Sequence, residues 1–420
     1  MMVCTSLYST VDGFFVSNFV GKTSFAAVNL IMPIAMGVGS IGFMFGAGGS
    51  AIISKTLGEG KNEKANQYFS MLIYTAIIIS VVMSVIGIIF IRSISASLGA
   101  TGELLENCVI YGRILFISMT AFILQNIFQN IFVAAEKPTL SLRISIIAGL
   151  TNAILDYLFM AVFHWGIAGA AVATAIGQVV GGIVPIIYFS KKNDSILQLT
   201  KTKFYGKILL KVCTNGSSEM VTNLSSSLVS ILYNFQLMKI AGENGLAAYG
   251  IIMYVNFIFT AIFIGFSIGT TPIVGYHYGA ANHDELKNLF NKSIKLIVGT
   301  SVALTLLAGI FSAPLVNIFA SYDMELFAMA YHGFRLYSIA FMLMGINIWG
   351  SAFFTALNNG GVSATISFLR TFVFQVIAIL ILPIFFGING IWLAVVVSEL
   401  LALLVTITFL IKNKTKYLYI

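Results

Sequence analysis

Apolar residues in this chain come in long blocks, and polar residues are confined mostly to the short gaps between them. The blocks fall at about 1–19, 26–54, 66–91, 109–134, 140–163, 166–190, 212–238, 246–276, 289–320, 327–355, 362–386 and 388–411. Each is long enough to cross a bilayer core of roughly 30 Å as an α-helix. In lipid the backbone polar groups must be satisfied within the chain, which leaves the helix as the natural reading of such blocks. The pattern predicts an all-α polytopic membrane protein with 12 transmembrane helices. The longest polar stretch, KKNDSILQLTKTKFYGK, follows the sixth block and divides the chain. It gives an N-terminal six-helix bundle at 1–190, a cytoplasmic linker at 191–211 and a C-terminal six-helix bundle at 212–420. The first block lacks the basic, polar lead-in that precedes the seventh, so its helix is expected to be truncated at the start.

The two bundles read as copies. A shift of 221 residues pairs Gly21 with Gly242, Gly48 with Gly269, Gly58 with Gly279 and Gly169 with Gly390. With one more residue, FVAAEKPTLSLRIS aligns with FTALNNGGVSATIS and Arg113 with Arg335. An even number of crossings per copy makes them parallel repeats, with a pseudo-twofold along the membrane normal. Two such bundles enclose a cleft and can rock about it. That is the architecture of a transporter, whereas a channel needs a ring of pore-lining elements.

Composition sharpens this. The chain is 58% hydrophobic and 9% charged, against roughly 25% charged in soluble proteins. Its net charge of +8 is topological. With both termini set in the cytoplasm, all of the 23 basic residues except Lys22, Arg92, Arg113, Lys239 and Arg335 sort to the cytoplasmic side. Cytoplasmic loops carry such an excess as a rule, so no nucleic-acid partner is implied. Cys4, Cys108 and Cys213 are scattered singly, with no zinc or cluster spacing.

Four acidic residues lie within blocks or at their margins: Asp12, Asp156, Glu219 and Glu399. An acid at mid-membrane costs about 2.5–3.5 kcal/mol on insertion scales, and its default reading is functional. Asp156 and Asn152 are one helical turn apart and share a face. Under the repeat, both correspond to apolar positions in the second half, Asp12 corresponds to Tyr233, and Thr174 to Val395. The acidic chemistry is therefore asymmetric and points to the first bundle. Brought together, these oxygens would suit Na⁺ or a shared proton. Glu399 pairs with Gln178 under the repeat and reads as a polar packing position, while Glu219 is divided between cleft and interface. The stretch QNIFQN places Gln125, Asn126, Gln129 and Asn130 as two i, i+4 amide pairs. They are candidates for a substrate cavity, with helix–helix hydrogen bonding as the alternative.

VGKTS resembles the end of a phosphate loop, but the required first glycine is Val16 and no strand precedes it. Without an ATP site, transport must draw on an ion gradient. VDGFFVSNFVG, AAVNLIMPI, MFGAGGSAIISKTLGEGKNEKA, NAILDYLFM, GIAGAAVATAIGQ and GTTPIVGYHYGAAN together resemble the multidrug and toxic compound extrusion (MATE) family, in its MepA-like bacterial branch. The resemblance spans essentially the whole chain. It implies export of cationic and amphipathic compounds in exchange for Na⁺ or H⁺ by a monomer in the bacterial plasma membrane, with no cofactor beyond the coupling ion. Members with an ion site in the first bundle use positions matching Asp12, Asn152, Asp156 and Thr174. Others use acids in the second bundle, where Glu219 is the only match.

The first rival is a lipid-linked oligosaccharide flippase, which would line its cavity with cations for pyrophosphate. Only Arg113 and Arg335 speak for it. An intramembrane enzyme is disfavoured, because His164, His277, His283 and His332 fall at block ends or in loops and make no paired site.

Overall fold

The computed structural model describes residue 15, residues 19–20 and residues 22–419 apart from 321–323. The chain divides into two compact units, Met1–Gly216 and Ser217–Ile420. Among the described residues, eight helices are long and apolar enough to span a membrane, and two bent helix pairs pass the same test together.

In the first unit, α1 (Lys22–Gly58) and α2 (Asn62–Ser97) are single long helices. The fourth block is the bent pair α3 (Gly102–Ile117) and α4 (Met119–Ala134), with a 53° turn between them. Then α5 (Pro138–Asp156) runs directly into a π-helical turn, Tyr157–Val162, and α6 (Gly166–Ser190) follows. Apolar side chains face both core and lipid here, so close packing rests on small residues that let helices approach. A Cβ on Gly42 would lie 2.7 Å from the Ile123 carbonyl oxygen of α4, and one on Gly182 2.4 Å from that of Ala121. Phe128, Phe132 and Phe189 pack with ring centroids 5.1–6.2 Å apart, Phe128 stacked on Phe189 and Phe132 tilted against both.

The polar connection after α6 is bound to this unit. The Gln198 and Thr200 amides donate to Asn66 Oδ1 and Ser70 Oγ of α2, at 2.7 and 2.8 Å, and Tyr205 Oη donates to Gln67 Oε1 at 2.6 Å. At its start, Lys137 Nζ and Tyr188 Oη both donate to Asp194 at 2.7 Å. These two bonds, Lys137 first, hold the Asp194 carboxyl down at about 2. The connection is thus a strap laid on the first unit.

The next helix, α7 (Gly206–Gly279), breaks at Gly242. There φ is 59° and ψ −148°, a backbone conformation natural to glycine. The arm before the break is the seventh block, and its Ser, Thr and Asn residues make it less apolar than the arm after the break. The ninth block divides into α8 (His283–Ile310) and α9 (Ser312–Ala320). The tenth is the second bent pair, α10 (Met324–Ser338) and α11 (Phe341–Ala356), turned by 49°. The eleventh consists of α12 (Gly360–Phe368), a π turn at Leu369–Val373 and α13 (Phe374–Phe386). The last helix is α14 (Ile388–Tyr417). The core of the second unit gathers Phe290, Trp349, Phe353 and Tyr419, with rings 4.9–5.7 Å apart. Of the first block, only Phe15 and Phe19 fall among the described residues.

Candidate functional site

The buried face of α5 is a single stripe: Ser141, Ile144, Ser145, Ala148, Gly149, Asn152 and Asp156. The helical period puts them on one side, and α6 covers that side. Asn152 is 5% exposed and Asp156 not at all. A Cβ on Gly177 of α6 would meet Asn152 Cβ at 3.0 Å, while one on Gly169 would meet Phe159 Cβ at 3.0 Å. These two contacts fix the antiparallel register. Thr174, one turn from Gly177 toward Gly169, comes level with Asp156. Thr174 Oγ1 and Asn152 Nδ2 are buried with no hydrogen-bond partner among the described residues. Asp12 lies outside the described residues. Phe15, on the same block, meets the Tyr157 ring edge-on at 6.3 Å, next in chain to Asp156. The helix changes from α to π directly after Asp156, and Phe163 N–H reaches back five residues to the Leu158 carbonyl at 2.8 Å.

The amides of α4 divide between two neighbours. Asn126 and Asn130 turn to α1, where a Cβ on Gly46 would lie 2.8 Å from Asn130 Nδ2. Asn130 Nδ2 itself donates to the Asn126 carbonyl at 3.4 Å. Gln125 and Gln129 turn to α5 and α6 and border a small cavity with Ser141, Ser145, Gly181 and Pro185. It is far below the roughly 300–1,000 Å³ of a drug-sized pocket. A second small cavity is mainly apolar, with Met32, Met36, Met119 and Phe122 beside Gln178. Methionine fills such spaces adaptably. Among the described residues, no group of three or more His, Cys, Asp or Glu side chains could hold a metal ion.

The MatE family model matches residues 1–158 and 220–381. The chain belongs to the MatE family. It is 25% identical to the multidrug export protein MepA of Staphylococcus saprophyticus over 396 residues, covering 93% of this chain and 86% of the relative. MepA of Staphylococcus haemolyticus is 25% identical over 406 residues, 95% of this chain and 88% of the relative. Among solved structures, an outward-facing multidrug resistance MATE family transporter of the MOP superfamily superposes with a TM-score of 0.93. It is 23% identical, over 99% of this chain and 94% of that one. A MOP superfamily transporter from Pyrococcus furiosus superposes at 0.92, also at 23% identity and the same coverage. The all-helical, multi-pass fold of this MatE chain is thereby established, with two six-helix bundles as its frame.

Sequence reasoning missed a buried ion pair of this MatE protein. Arg370 sorts with the loop cations by sequence, but it sits in the π turn within the eleventh span. Its Nε donates to Glu399 Oε1 at 2.8 Å, with the carboxylate side chain fully buried and the guanidinium 12% exposed. Asn347 Nδ2 donates to Glu399 Oε2 at 2.7 Å, and Thr406 Oγ1 to Asn347 Oδ1 at 3.0 Å. The set of cations expected in loops is reduced by this one residue, because a buried carboxylate neutralises it where water would otherwise be needed. Glu219, on the polar arm of α7, is partly buried and feels the Arg370 charge. The only available clue in sequence was that the repeat places an acid, Glu399, where the first half has neutral Gln178. Arg113 and Arg335 are exposed, so the buried regions described here offer no free cation to a pyrophosphate, and the flippase reading is not favoured.

Proposed function

We propose that the protein is a multidrug efflux antiporter, exporting small amphipathic and cationic compounds in exchange for Na⁺ or H⁺ by alternating access. The observation that carries the reading is the fully buried Asp156 inside a membrane-spanning helix, on one face with Asn152. A carboxylate in a membrane span is costly to place there, and its default reading is functional. The names of the MepA relatives support the substrate class. In this reading Asp12, Asn152, Asp156 and Thr174 bind the coupling ion. Ion binding biases the first bundle and helps release the drug outside, and loss of the ion to the cytoplasm resets the site. Glu219 supplies a counter-charge for cationic drugs. The protein sits as a monomer in the bacterial plasma membrane with both termini in the cytoplasm.

The test is efflux of a fluorescent cation from everted vesicles, with Na⁺ and pH gradients imposed separately. Asp156→Asn is expected to reduce ion-driven transport to the level of vesicles without the protein, at unchanged expression. Normal transport by that variant would overturn the assignment.

A further inference from the structure

The polar connection after α6 lies at a defined depth along the first unit. On α2 the exposed large apolar residues run from Tyr74 to Phe90. That band is about 24 Å of helix, most of the roughly 30 Å of a hydrocarbon core. The connection is bonded to the turns just before it. Besides the amides that reach Asn66 and Ser70, the Thr202 hydroxyl donates to the Gln67 carbonyl at 2.8 Å and the Tyr205 amide to Met71 Sδ at 3.1 Å. The Tyr205 ring meets that of Tyr68 edge-on at 5.1 Å. Residues 198–205 are thereby held at the edge of the apolar band.

These bonds sort the side chains. The Thr200 and Thr202 hydroxyls are spent on the α2 side, the first buried and the second bonded. Lys201 and Lys203, which alternate with them along an extended chain, are exposed. Phe204 follows at 73% exposure. On the first turns of α7, Lys207, Leu210 and Lys211 share one helical face, and Leu210 is 66% exposed. Asp194 is the only acid between 191 and 211, and Lys137 and Tyr188 hold it. The four lysines have no ion-pair partner among the described residues. Topology explains the lysines of a loop. It does not explain two large apolar side chains standing exposed among them.

We infer that this connection is a binding surface for anionic phospholipid. Lys201, Lys203, Lys207 and Lys211 hold the headgroup phosphates, and Phe204 and Leu210 enter the acyl boundary beside them. Lysine stems are long enough to lie along apolar surface while the ammonium stays with the headgroups. The occupant follows from the surface itself. A soluble anion offers nothing to Phe204, and a zwitterionic lipid has no net charge to draw four lysines. An anionic lipid presents both complements at the depth where the connection is held. This assignment needs α2 to span the membrane and draws on neither the ion nor the drug assignments.

The experiment uses the full chain carrying Phe204→Trp in proteoliposomes, with the fluorescence of the three native tryptophans subtracted by a parallel wild-type sample. Brominated phosphatidylglycerol or brominated phosphatidylcholine supplies the quencher at equal mole fraction in otherwise identical vesicles. Both lipids are expected to quench the new tryptophan, phosphatidylglycerol with a relative affinity at least about five-fold higher, the worth of one lysine at an anionic surface. Lys201→Gln combined with Lys203→Gln should remove most of that preference. Raising NaCl to about 0.5 M should do the same with all lysines in place, because it shortens the reach of the charges. No quenching by either lipid would put position 204 in water and overturn the inference. Equal quenching by the two lipids at low salt would overturn it as well, as would a preference that neither salt nor the lysine substitutions reduce. The salt arm needs no lysine variant, so misfolding of the substituted protein cannot decide the outcome.

Discussion

Arg370 and Glu399 explain each other's presence inside the membrane. Neither charge is stable there alone, and their bond at 2.8 Å is completed by Asn347 on the second carboxylate oxygen. Removing one partner of a buried pair leaves the other uncompensated, which costs about 3–5 kcal/mol, whereas replacing both is often neutral or better. Glu399→Gln and Arg370→Leu are each expected to lower the melting temperature of the purified protein in detergent clearly. The double variant, with the glutamine that the first half carries at Gln178, should recover most of the loss. A double variant less stable than either single one would mean that the two charges act independently. The pair was invisible in sequence for a physical reason: the residues lie 29 positions apart on neighbouring helices, and nothing in a hydropathy pattern joins them. The face shared by Asn152 and Asp156 was legible because one helix carries both, and helical period alone fixes it.

At the scale of elements, one intramembrane charge of each unit lies at a π turn. Asp156 ends the α-helix that becomes Tyr157–Val162, and Arg370 lies within Leu369–Val373. The repeat offset does not superpose the two turns, so each belongs to its own unit's chemistry. A π turn holds one residue more than an α turn and rotates everything after it. Sequence could predict the spans but not these turns. In a helix with apolar neighbours on every side there is no polar phase to slip, so one extra residue leaves no trace. The bent pairs at Ser118 and Ala340 escaped for the same reason, since an unbroken apolar block reads as one straight helix. The turn after Asp156 yields a prediction. Deleting Leu158 should restore α geometry and swing the Asp156 side of α5 relative to Phe159 and the contacts beyond it. The variant is expected to melt within a few degrees of wild type and to lose most ion-driven transport. Full transport after the deletion would show that the π turn is incidental.

At the scale of the whole chain, duplication supplied one frame and divergence gave its halves different chemistry. Among the described residues, the first unit buries the Asp156 carboxylate on one helix face with Asn152, Ser141 and Ser145. The second unit neutralises its buried acid with Arg370, and Glu219 feels that same guanidinium from the polar arm of α7. If coupling belongs to Asp156 and drug charge to Glu219, the two carboxylates must fail differently. Glu219→Gln is expected to weaken export of a lipophilic cation about ten-fold, in line with roughly 1.5–3 kcal/mol for an interaction with a charged group. Export of a neutral amphipathic dye by the same vesicles should persist. Asp156→Asn should stop both, because neither compound moves without the driving ion. An equal loss of both dyes in Glu219→Gln would place that carboxylate in the coupling machinery instead. Survival of neutral-dye export in Asp156→Asn would show that the ion drives only charged cargo, and the division between the halves would then have to be redrawn around substrate charge alone.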